Sequence, residues 1–112
     1  MSLAHLSVHS SNTLKESLPN ATVCEKLASL YSLFSDSTRL KIIVSLSLQE
    51  MCVSDLAILL NTNQTTISHQ LKLLKNFGAV ISTRKNKYIF YKVNNKLINQ
   101  MLINGVDYII GK

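Results

Sequence analysis

Cys52 and Asp55 place a thiol and a carboxylate three residues apart in the stretch "EMCVSDL" (50–56), a pair able to do chemistry. Two readings are open. Together they are half of a metal site, because thiolate and carboxylate both ligate divalent ions. Separately, Cys52 fills a core as a small apolar residue and Asp55 favours a helix N-terminus. A second constellation is polar and cationic. Gln64, Thr65, Thr66, Ser68, His69 and Gln70 lie in one short segment, followed by Lys72, Lys75, Arg84, Lys85 and Lys87. Short polar side chains of this kind reach base edges in a major groove, as Gln does bidentately to adenine and the Thr methyl to thymine. The lysines and Arg84 suit backbone phosphate.

The charge distribution favours the same partner. The chain carries 12 Lys and Arg against 6 Asp and Glu, a net charge of +6. No acidic residue falls between Asp55 and Asp107, an interval that also holds Lys92 and Lys96. So one-signed a block repels itself unless it meets a polyanion, and nucleic acid is the usual one. The competing reading is a basic face that only aids solubility. An enzyme is not expected: the carboxylates are scattered, and there is no nucleophile–base pair and no Gly-rich phosphate loop. Nor is a small-molecule substrate.

The elements that must position these residues follow from periodicity. At 112 residues, 46% of them apolar, one domain with a real core is expected. The apolar runs are far shorter than the roughly 20 residues of a membrane span. With two cysteines and no secretory leader expected, the thiols should be reduced in a cytoplasm. Residues 1–20 read as a polar arm with a short helical turn around Leu14 and Leu18. From residue 21 to 112 a single domain is expected. Its first helix carries Val23, Leu27, Leu30, Tyr31 and Phe34 on one face. Ser35 or Asp36 caps a second, with Leu40, Ile43, Val44 and Leu46 inward. Ser54 or Asp55 starts a third, with Leu56, Ala57, Leu59 and Leu60. Asn61-Thr62-Asn63 is a turn, and a fourth helix runs from Gln64 to Asn76 with Ile67, Leu71 and Leu74 facing inward. Gly78 ends it with positive φ.

The period then shifts to two. Val80–Arg84 and Tyr88–Val93 read as strands joined by a polar turn at Lys85-Asn86-Lys87. Asn94 or Asn95 caps a last helix with Leu97, Ile98, Met101, Leu102, Val106 and Ile109 on a broad apolar side. Two short helices joined by a three-residue turn and followed by a basic hairpin make a winged helix-turn-helix, mainly α with a small β wing.

The segments "LFSDSTRLKII" (33–43), "EMCVSDLAILLN" (50–61), "TISHQLKLLKNFGAV" (66–80) and "YIFYKV" (88–93) carry a family likeness. Over residues 21 to 110 the chain resembles the ArsR/SmtB family of winged-helix, metal-responsive repressors. The resemblance implies a homodimer, built from the first and last helices, on a palindromic DNA operator. Its recognition helices would sit about 34–36 Å apart, one DNA turn. It also implies release of that operator by a metal or another inducer.

One family metal site lies on the last helix. The matching positions here look like Asn95, Leu97, Tyr108 and Gly111, which do not supply a zinc site. A second uses the "CVxD" stretch, matched by Cys52 and Asp55, with two ligands four residues apart from the partner protomer's arm. His5 and His9 have that spacing, His5 standing where an arm cysteine is found in relatives. Ser54 replaces the second cysteine of the thiol-rich versions, which turns the site away from arsenite, lead and cadmium as cognate effectors. The set His5, His9, Cys52, Asp55 suits tetrahedral Zn²⁺ or Co²⁺, with Ni²⁺ and Cd²⁺ as further ions it admits. The alternative is a repressor of the same build that senses thiol oxidation or reactive sulfur through Cys24 and Cys52, or that has no inducer site. Cys24 is otherwise a core or interface residue.

Overall fold

The computed structural model describes residues 5–111. Two compact units make up the chain, Met1–Ser32 and Leu33–Lys112.

The first unit is helical. Ser7 caps α1 (Val8–Ser17), its hydroxyl accepting the Ser10 N–H at 3.1 Å. Thr13 and Ser17 hydroxyls donate to the carbonyls of His9 and Thr13, at 3.0 and 2.9 Å. These local bonds absorb polar side chains that would otherwise compete with the helix. The arm therefore contains a ten-residue helix rather than a turn around Leu14, and Leu18 stands outside that helix as the C-cap. Pro19 and Asn20 interrupt, and the Asn20 side chain accepts the Val23 N–H at 2.9 Å to start α2 (Ala21–Ser32). Val23, Leu27 and Tyr31 on α2 are exposed in the single chain.

The second unit holds the core. Asp36 rather than Ser35 caps α3 (Ser37–Leu48), accepting the Arg39 N–H at 2.8 Å. Ile42, Ile43 and Leu46 are its buried residues together with Ser45; Leu40 and Val44, expected inside, are half-buried. A two-residue strand β1 (Met51–Cys52) then leads directly into α4 (Val53–Leu59). Nothing in the local sequence marks that strand. Helix α4 also begins earlier than Ser54, and Leu56 is its one buried residue, with Leu59 exposed. The turn to α5 (Gln64–Phe77) places Asn61 at φ +48°, a backbone region that Asn tolerates better than most residues.

Asn63 caps α5 by accepting the Thr66 N–H at 2.8 Å, and Gly78 ends it at φ +89°. Ile67, Leu71 and Leu74 are buried along its inner face, as the spacing predicts. Strands β2 (Val80–Lys85) and β3 (Tyr88–Val93) pair antiparallel through a two-residue turn, Asn86-Lys87. The turn is one residue tighter than Lys85-Asn86-Lys87, since Lys85 pairs with Tyr88. Strand β3 lies between β1 and β2. Asn95 caps α6 (Lys96–Ile110), accepting the Leu97 N–H at 2.8 Å. Ile98 alone on α6 is buried, while Val106, Tyr108 and Ile109 are exposed. Among the described residues no helix is long and apolar enough to cross a membrane.

Candidate nucleic-acid interface and metal half-site

Helix α5 presents one polar face because its other face is anchored by Ile67, Leu71 and Leu74. Gln64, Thr65, Ser68 and His69 are exposed on it. Thr66 and Gln70 are half-buried. Gln70 is engaged at both ends of its amide. Its Oε1 accepts from Arg39 Nε at 2.9 Å, and its Nε2 donates to Asp36 Oδ2 at 3.3 Å.

The cations lie on α5 and the hairpin. Lys72 and Lys75 are exposed, and Lys75 Nζ donates to Ser82 Oγ at 2.7 Å, linking α5 to β2. At the wing, Arg84 Nε donates to the Asn86 carbonyl at 3.3 Å. Lys87 Nζ lies 5.6 Å from the Tyr88 ring centre, a cation–π distance. Lys85 Nζ is 5.3 Å from the Phe90 ring centre and 3.0 Å from Glu50 Oε1. Sequence reading does not pair Glu50 with the wing. Nothing local signals that ion pair, which depends on β1 lying beside β3.

The thiol and carboxylate meet at the junction of β1 and α4. Cys52 is the N-cap of α4, and its N–H donates to Asp55 Oδ2 at 3.4 Å. Asp55 thus meets the helix-start expectation: it sits in the first turn of α4 and accepts the Cys52 N–H. The thiol is buried, with Sγ 3.2 Å from Ser54 Oγ, whereas Asp55 is exposed. Strand pairing sets Met51 opposite Tyr91 and Cys52 opposite Phe90. Cys52 therefore belongs to the sheet that carries the wing, and Asp55 to the helix that follows it.

His5 and His9 are both exposed. His5 lies in the turn ahead of the Ser7 cap and His9 inside α1, so their four-residue spacing is not that of one helix face. Among the described residues, no three His, Cys, Asp or Glu side chains within one chain gather as a metal cluster. Cys24 is exposed, its Sγ 3.6 Å from the Pro19 carbonyl.

Residues 36–82 match the sequence model of the family described as bacterial regulatory protein, arsR family. The chain is 35% identical over 77 residues to a cadmium resistance transcriptional regulatory protein CadC homologue of Staphylococcus aureus, a match spanning 68% of this chain and 64% of that protein. It is 32% identical over 98 residues to the cadmium resistance transcriptional regulatory protein CadC of Listeria innocua, covering 87% of this chain and 82% of the relative. The chain belongs to the ArsR family. The fold of this ArsR-family protein agrees: the crystal structure of the AntR antimony-specific transcriptional repressor superposes with a TM-score of 0.76 at 23% identity, over 85% of this chain and 86% of that one. Membership makes the ArsR-family chain a winged-helix, DNA-binding transcriptional regulator rather than an enzyme.

Proposed function

We propose that this protein is a homodimeric transcriptional repressor that grips a palindromic operator through α5 and the β2–β3 wing and is released by a zinc-class divalent metal. Gln64, Thr65, Ser68 and His69 face the major groove, and Lys72, Lys75, Arg84, Lys85 and Lys87 hold backbone phosphate. The exposed apolar faces of α2 and α6 support the dimer, since monomeric proteins seldom leave such faces in water. The proposed effector site joins Cys52 and Asp55 of one protomer to His5 and His9 of its partner. The cadmium-resistance regulators that the chain resembles support a metal as the class of effector.

The observation that carries the metal reading is the bond from the Cys52 N–H to Asp55 Oδ2, which keeps a thiol and a carboxylate on one helix turn beside the wing. The donor set fits: one sulfur, one oxygen and two imidazoles are ordinary zinc ligands, and Ser54 limits the softness of the site. Loading the purified protein with Co²⁺ should give a thiolate-to-metal charge-transfer band that disappears in Cys52→Ser. Metal affinity should fall sharply in His5→Ala/His9→Ala; unchanged binding there removes the arm from the site. Operator affinity should decline steeply with salt and weaken on adding Zn²⁺. Release by Cd²⁺ with indifference to Zn²⁺ would reverse the choice of metal.

A further inference from the structure

Base readout by a glutamine requires both ends of its amide. The carbonyl accepts from adenine N6 while the NH₂ donates to N7. Gln70, the residue of the polar segment closest in sequence to the buried Leu71, is different from Gln64. Its Oε1 takes the Arg39 Nε–H at 2.9 Å and its Nε2 gives a hydrogen bond to Asp36 Oδ2 at 3.3 Å. The orientation of the amide is fixed by chemistry: a guanidinium only donates and a carboxylate only accepts, so oxygen must face Arg39 and nitrogen must face Asp36. The same Asp36 oxygen caps α3 by accepting the Arg39 N–H at 2.8 Å. One carboxylate oxygen therefore serves two elements, and Arg39 meets both Asp36 and Gln70.

We propose that Asp36, Arg39 and Gln70 form a polar lock between the N-terminus of α3 and the recognition helix, and that Gln70 is a positioning residue that reads no base. The inference rests on the DNA-binding reading above. Ile67, Leu71 and Leu74 fix which face of α5 is buried but are greasy contacts, tolerant of small rotation and sliding. The lock adds directional bonds between residues 31 and 34 positions apart in sequence. Bonds to charged partners are the stronger kind, and they restrict the tilt at which Gln64, Thr65, Ser68 and His69 meet the groove.

The test removes the partners of the lock singly and together. Gln70→Ala deletes both bonds of the amide, and Arg39→Ala deletes the guanidinium from which its Oε1 accepts. The double variant Arg39→Ala/Gln70→Ala closes the cycle and isolates the coupling between them. Duplexes are first selected from a random pool by the wild-type protein, then varied one base pair at a time. Gln70→Ala and Arg39→Ala should each lose about tenfold in affinity on every duplex alike, with base preference intact. The double variant Arg39→Ala/Gln70→Ala should lose little more than either single variant. Thermal melting without DNA should show the same pattern, each single variant lowered and the double variant little lower still. Relaxed preference at a single base pair in Gln70→Ala, or losses that simply add in the double variant, overturn the proposal. A wild type that selects no duplex would instead fell the DNA-binding reading, and melting would then judge the lock alone.

Discussion

Asp55 has one observed job and one proposed job, and substitution can part them. As the third residue of α4 its carboxylate accepts the Cys52 N–H, and as a carboxylate it offers a metal donor. Asn at this position keeps an acceptor for the N–H but is a poor zinc ligand. Asp55→Asn should therefore leave the melting temperature of the metal-free protein nearly unchanged while weakening Zn²⁺ binding. Asp55→Ala should lose both, with about 1 kcal/mol of apo stability. Equal Zn²⁺ affinity in wild type and Asp55→Asn would show that Asp55 only caps. Cys24 is exposed and Cys52 is buried, so the two thiols stand in different surroundings. Cys24→Ser is expected to leave metal-dependent release intact in an operator-binding titration; loss of the response would move the sensing chemistry to the thiol alternative.

The wing behaves as an element because β3 is shared: it pairs with β2 on one side and with β1 on the other. Lys87 at its tip lies over the Tyr88 ring and should contribute one phosphate contact. Lys87→Ala should reduce the slope of log affinity against log salt by about one. Lys85 is balanced by Glu50 at 3.0 Å, a partly exposed pair worth at most about 1 kcal/mol. Releasing it with Glu50→Gln should raise operator affinity at low salt by a few-fold and should do nothing at high salt.

Which elements are legible in the sequence follows from where their determinants lie. Helix α5 is readable within one residue at its C-terminus because Asn63 and Gly78 mark its two ends locally. The strands β2 and β3 announce themselves by β-branched and aromatic residues. By contrast, β1 is two residues long, shows no period, and exists only through pairing with Tyr91 and Phe90. The start of α4 escapes sequence reading for a related reason, since the cap falls on Cys52, a residue without cap preference. Gln70 looks like a base reader in sequence because its partners, Asp36 and Arg39, are remote along the chain. The pairing of Cys52 with Asp55 is legible from spacing alone, whereas the burial of one and exposure of the other is not.

At the scale of the whole molecule, α6 is the element whose sequence exceeds what one chain buries. Tyr108 is 83% exposed and Ile109 is 80% exposed, although the helix is among the most apolar segments of the chain. Ile109→Glu should shift sedimentation toward the monomer and weaken operator binding, while far-ultraviolet circular dichroism stays that of a folded chain. A dimer unaffected by this change would place the seam elsewhere. An uncovered α6 face also makes abundance an input. When two copies must join before two recognition helices can span one operator, occupancy rises with more than the first power of protein concentration. If, as proposed, a metal is held between the arm of one copy and the thiol of another, it draws on the same association, so its apparent affinity depends on copy number. Metal titrations at nanomolar and micromolar protein should therefore give different midpoints, and a repressor built this way responds to its own synthesis as well as to its ligand.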